Sequence, residues 1–213
     1  MMPLLAACVL AVPALGLGGC LAAGWLADGV VDPAHTVRVE PEYLGLENQR
    51  VAVLVDTDID IAMAHPLAQL EVASVISDRI ADNVPGATVR DAEQIARFQQ
   101  RNLYWTTARY ADLMERLEVD RLVIIELVDY HLHEPGNVNI WRGLITANIG
   151  VAEADGDNPN NLVYASTVSV TYPPESEVGL LNANQRTIRL ATLDSFSRAA
   201  AGKFYQHDVR RNQ

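Results

Sequence analysis

The chain has 213 residues, is 49% hydrophobic and 20% charged, and carries a formal net charge of −11. That length holds one medium domain with a core of its own plus a short appendage. A single lysine, Lys203, stands beside fifteen arginines and is outweighed by 27 acidic residues, which argues against a basic patch for nucleic acid or anionic lipid. Both cysteines, Cys8 and Cys20, fall in the first twenty residues, so the rest of the chain has no disulfide, cysteine metal site or thiol nucleophile.

Residues 1–19 form an apolar, small-residue run, too short and too rich in Gly and Pro to span a bilayer. The run ends Leu17-Gly18-Gly19-Cys20, which resembles a bacterial lipobox. The resemblance implies a lipoprotein signal peptide over 1–19, with Cys20 acylated as the mature amino terminus on the periplasmic side of the envelope. Leu21 rather than Asp follows the cysteine, which resembles sorting to the outer membrane. Residues 20–49, with Asp32-Pro33 and Glu40-Pro41-Glu42 and no sustained periodicity, read as an extended tether, with Tyr43-Leu44-Gly45-Leu46 as a docked piece.

A domain is expected over 50–209, leaving 210–213 as a tail. Val51 to Val55 is a short apolar run that predicts a buried strand, emptying into the acidic loop Asp56-Thr57-Asp58-Ile59-Asp60. His65-Pro66 opens a helix with Leu67, Leu70, Ile76, Ile80 and Val84 on one face, stopped near Pro85-Gly86. A brief strand follows over 87–90, then a short helix capped by Asp91 with Gln94, and a second helix whose Tyr110, Leu113, Met114 and Leu117 share a face. Arg121 to Tyr130 reads R-L-V-I-I-E-L-V-D-Y, a strand covered on both faces at its start, with Ile124 expected in the core. Beyond the break at Pro135-Gly136, Trp141, Gly143, Ile145, Ala147, Ile149 and Val151 alternate against Arg142, Thr146 and Asn148. After a turn at 155–161, Leu162, Tyr164, Val168, Val170 and Tyr172 alternate against Ala165, Thr167, Ser169 and Thr171. A last helix from about Gln185 places Leu190, Leu193, Phe196, Ala200 and Phe204 together.

This order predicts a single α/β (α+β) domain: a mixed sheet of about five strands with helices packed mainly on one face, the other left to water or a partner. The first strand V-A-V-L-V, an Ala- and Ile-rich helix, and L-E-V-D-R-L-V-I-I-E-L-V before a long hairpin resemble one fold group. It comprises the TolB amino-terminal domain, the curli-secretion lipoproteins and the penicillin-binding-protein activator lipoproteins. The resemblance spans roughly 50–205 and implies a partner in the envelope: a peptidoglycan synthase, or a secretion or lipid-transport assembly.

Three clusters carry candidate chemistry. Asp56 and Asp58 at a strand end resemble the nucleophile motif of haloacid-dehalogenase phosphatases, but phosphoryl transfer needs a cation on the leaving oxygens and no lysine follows until Lys203. As a calcium loop the run lacks its turn glycine and its bidentate Glu, so a helix-capping loop is the simpler reading. Asp129, His131 and His133 fall at two-residue spacing on one predicted strand face, where two imidazoles and a carboxylate could hold a metal. Glu126 lies on a face otherwise carrying Leu122, Ile124, Val128 and Tyr130, which predicts a partner such as Arg121 or Arg142. The sequence therefore points to a non-enzymatic envelope lipoprotein that binds another protein through sheet face or loops, with no cofactor and no nucleic acid. A ligand- or metal-binding domain at Asp129, His131 and His133 is the alternative, and a metal-dependent hydrolase at Asp56 and Asp58 the last.

Overall fold

A computed structural model of the chain describes residues 36–174 and 179–210. The expected signal peptide over 1–19, Cys20, residues 20–35 of the expected tether and residues 211–213 lie outside the described residues. In chain order the elements are β1 (Thr36–Val39), β2 (Arg50–Thr57), α1 (Ile59–Ala64), α2 (Ala68–Asn83), β3 (Thr88–Val89), α3 (Ala92–Arg101), α4 (Tyr110–Leu117), β4 (Arg121–Glu134), β5 (Asn137–Glu153), β6 (Tyr164–Tyr172), α5 (Gln185–Ala201) and β7 (His207–Arg210). Among the described residues no helix is long and apolar enough to cross a membrane.

The domain is a mixed α/β fold on a five-stranded sheet of order β3-β2-β4-β5-β6. β2 pairs in parallel with β3 and β4, while β4, β5 and β6 run antiparallel. β1 and β7 form a separate two-stranded sheet.

One face of the large sheet is covered along its length. Val51, Val53 and Val55 of β2, Val123 and Ile125 of β4, and Ile149 and Val151 of β5 are buried there against Val72, Ile76 and Ile80 of α2 and Ile188, Leu193 and Phe196 of α5. Each such side chain contributes roughly 1.5–3 kcal/mol when fully removed from water. A Cβ on Gly143 would collide with the Thr192 hydroxyl, so glycine in β5 lets α5 lie close.

Among the described residues the other face is covered only at the amino end of β4. There Ala52, Leu54, Leu122 and Ala152 pack against Ile95 of α3 and Leu113 and Met114 of α4. Both sides of Leu122 to Ile125 are therefore apolar, which is why this run lacks alternation. Ile124 sits at the margin of the second layer, only partly buried, whereas Leu122, Val123 and Ile125 are fully enclosed.

The compact unit containing the sheet begins at Arg38 rather than Arg50 and runs to His207. Leu46 is fully buried, and the Glu42 and Tyr43 N–H groups donate to the Lys203 carbonyl at 2.8 and 3.1 Å. Tyr43 donates its hydroxyl to Glu153 of β5. Arg121, 6% exposed, ties this segment down through the Gly45 carbonyl (2.9 Å) and Asp155 (2.6 Å).

Two local features depart from the sequence expectation. Residues 59–64 form a helix rather than the end of a loop, and in α5 Ile188 is buried while Leu190 is exposed. β4 also carries irregularities: its register against β5 shifts between Leu127 and Asp129 and again between His131 and His133. Each shift breaks the two-residue period on which the face of a side chain depends.

Candidate functional site

The half of the sheet that α3 and α4 leave bare is built from the ladder itself. Register places Asp56 of β2 opposite Glu126 of β4, Glu126 opposite Asn148 of β5, and Asn148 opposite Thr167 of β6. These four side chains form one polar row across four strands. Hydrogen bonds join three of them: Thr167 Oγ1 donates to Asn148 Oδ1 (2.8 Å), and Asn148 Nδ2 donates to Glu126 Oε2 (3.1 Å).

A second row continues outward with Asp129, Thr146 and Ser169, the last two sharing a hydrogen bond of 2.8 Å between hydroxyls. Val128, at the first register shift, is turned out and 52% exposed. Asp129 Oδ1 meets His131 Nε2 at 2.6 Å. Between the rows and α4 lies a groove of about 450 Å³, bordered by Tyr110, Ile124, Gly150, Leu162 and Ala165 and floored by Glu126 and Asn148. Gly150 leaves room for Leu162, which a Cβ at that position would strike.

The face is therefore graded. Its β2 and β4 side carries the carboxylates of Asp56, Glu126 and Asp129, and its β5 and β6 side carries amide and hydroxyl groups. Burial, assisted by the charge of Glu126, pushes the Asp56 carboxyl above its ordinary value, while the Thr57 N–H at 3.0 Å pulls the other way. Such a surface can accept hydrogen bonds and attract cationic groups.

Several sequence candidates are placed differently from expectation. Glu126 is exposed on the open face and held by an amide, while Arg142 pairs with Glu134 (3.1 Å) and Arg121 with Asp155. Tyr130, expected on the Glu126 face, is buried on the helix side by the register shift at Val128, with His65 stacked on it at 4.6 Å. Its hydroxyl is pushed up to about 12 by burial.

The Asp129, His131 and His133 set is broken for the same reason. His133, beyond the second shift, stacks at 4.0 Å on Trp141, which packs against the helix-side core, while His131 stays exposed beside Asp129. Among the described residues no group of three His, Cys, Asp or Glu side chains is placed to hold a metal ion. Asp58 is separated from Asp56 in role, because it caps α1 by accepting the Ile61 N–H at 2.8 Å.

Thr146, Asn148, Thr167 and Ser169 are legible in the sequence as the polar half of two alternating strands. The pairing of Asp56 with Glu126 is not, since it depends on a parallel register between strands 70 residues apart.

No protein-family model matches the chain, and no curated protein matches it. Among solved structures it is similar to the PelC dodecamer from Paraburkholderia phytofirmans, with 6% identity over 84% of this chain and 98% of that one and a TM-score of 0.45. It is also similar to protein XCC0632 from Xanthomonas campestris, with 12% identity over 79% and 89% and a TM-score of 0.44. Lipoprotein GNA1162 from Neisseria meningitidis is similar at 13% identity over 67% and 91%, with a TM-score of 0.39.

Proposed function

We propose that the chain is a lipid-anchored envelope protein that performs no chemistry and recognises a protein partner through the open half of its sheet. The observation that carries the reading is the row Asp56, Glu126, Asn148 and Thr167, a continuous polar shelf on a sheet face that no helix among the described residues covers. Two carboxylates on that shelf, with Asp129 in the next row, suit a partner surface bearing arginine or lysine, because opposite charge steers the encounter and fixes its register. The anchor rests on Leu17-Gly18-Gly19-Cys20, and the outer membrane on Leu21. The resemblance noted above supplies the partner classes: a peptidoglycan synthase, or a secretion or lipid-transport assembly.

A photo-crosslinking residue at Thr146 or Ser169 tests the face in intact cells, with one at exposed Gln100 of α3 as the control. A discrete protein adduct at the first two positions, absent at Gln100 and lost in Glu126→Lys, is the expected result. A folded protein with no adduct at either open-face position overturns the reading. Cys20→Ser tests the anchor separately: the variant should leave the membrane fraction, and continued sedimentation with membranes, together with a wild type that takes up no labelled lipid, removes the anchor. Turnover of an aryl phosphate with magnesium, abolished by Asp56→Asn with Asp58→Asn, would replace the binding reading with a hydrolase.

A further inference from the structure

β6 is an edge strand of the large sheet, and among the described residues no strand pairs with its outer side. The Val151 carbonyl is turned towards β6, where it accepts the Val163 N–H at 2.8 Å, so the odd-numbered residues of β5 direct their main-chain groups to β6. Their register partners Tyr164, Ser166, Val168, Val170 and Tyr172 are thereby used within the sheet. Alternation leaves Ala165, Thr167, Ser169 and Thr171 with N–H and C=O groups directed away from it. Among the described residues none of these outward groups meets a hydrogen-bond partner.

The opposite edge is treated differently. β3 is two residues long and ends opposite Val51, and farther along β2 the Val55 carbonyl is capped by the side-chain amides of Gln69 (2.8 Å) and Gln99 (2.9 Å). Edge strands ordinarily carry a charge, a proline or a bulge that blocks pairing. β6 has none of these over its nine residues, and the whole stretch from Leu162 to Pro174 contains no Asp, Glu, Lys or Arg.

We propose that β6 is the seam of a homodimer, on which a second copy of this chain adds its own β6 in antiparallel register about a two-fold axis at Val168. The proposal stands apart from the open-face reading. With the axis at Val168, Ala165 pairs with Thr171 and Thr167 with Ser169, so every outward residue meets another outward residue. Val168 meets its own copy, and Tyr164 lies opposite Tyr172. The pairing is isologous, as a closed dimer requires, and it joins two five-stranded sheets into one. Charge selects this occupant. Two molecules of net charge −11 repel wherever acidic residues meet, and this uncharged seam brings none together. A basic partner would find no carboxylate on this strand to attract it.

The test uses the full chain with Cys8→Ser and Cys20→Ser. Light scattering after size exclusion should give twice the monomer mass, and Ser169→Lys should return it to one monomer that still melts cooperatively, at a temperature lowered by the loss of the partner and of the Thr146 bond. Adding Val168→Cys to the same background should give a disulfide-linked dimer under mild oxidation, because facing residues at the axis lie within disulfide reach. A wild-type background that is monomeric at every concentration overturns the proposal. So does a dimer, or any larger assembly, that survives Ser169→Lys, and so does a folded Val168→Cys chain that stays uncross-linked.

Discussion

Asp56 stands directly opposite Glu126 across the parallel ladder of β2 and β4, a half-buried carboxylate facing an exposed one on the same side of the sheet. Burial and the neighbouring charge raise the Asp56 carboxyl in the folded chain. A raised carboxyl contributes stability that is fully present below its unfolded value and is lost as pH rises through the folded one. Asp56→Asn should therefore raise the melting temperature at pH 7, and the gain should shrink as both proteins are taken below about pH 4, the ordinary carboxylate range. Calorimetry at both pH values checks this, and Glu126→Gln should lower the Asp56 pKa followed by NMR.

The two amides on the Val55 carbonyl make a second prediction. Gln99 is 4% exposed, and its removal leaves its own pocket and part of an edge carbonyl without a partner. Gln99→Leu should cost about 1–3 kcal/mol in urea unfolding. Gln69→Leu alone should cost less, because Gln69 is more exposed, and the double variant should exceed the sum of the two. An additive double variant would mean that the carbonyl is hydrated whenever either amide is missing.

Arg121 fastens the segment before β2. Its guanidinium is buried and bonded to the Gly45 carbonyl and to Asp155, so Arg121→Met should destabilise the domain by about 3 kcal/mol. Hydrogen exchange should rise first around residues 42–48. Asp155→Asn should cost far less than Arg121→Met, because that carboxylate is itself exposed.

The core makes a fourth prediction through a contrast between neighbours. Ile125→Ala should cost about 2–5 kcal/mol, since Ile125 is fully enclosed beneath α2 and α5. Ile124→Ala should cost distinctly less, because that side chain borders the open groove. Equal losses by chemical denaturation would place Ile124 in the core as well.

That contrast marks how far the fold could be read from the residues alone. The long alternating strands, the helix starts at Asp91 and near Gln185, and the mixed sheet were legible because hydrophobic period and capping chemistry act locally. The face on which a β4 side chain falls was legible only as far as Leu127. Beyond it the bulge at Val128 turns Tyr130 inward, and the second shift sets His133 on Trp141, so even spacing no longer meant a shared face. Helix α1 was hidden for another reason. Six residues are too few to show a helical period, so the acidic run read as a loop capping the helix at His65-Pro66, whereas Asp58 caps α1 itself. The open-face hydroxyls could be anticipated from alternation, but the meeting of Asp56 with Glu126 depends on long-range register.

The bonds around Glu42 have a mechanical consequence. Its N–H reaches the Lys203 carbonyl just after α5, and its carboxylate holds Lys203 Nζ at 2.6 Å and the Tyr164 hydroxyl of β6 at 2.7 Å. The next residue, Tyr43, reaches β5 through Glu153. A pull applied at the amino end reaches these links after β1 and its pairing with β7. These links join the incoming chain to three separate elements at nearly one point, so they share the load instead of opening one after another. Tension would then pass to the last helix and to two strands of the sheet at once.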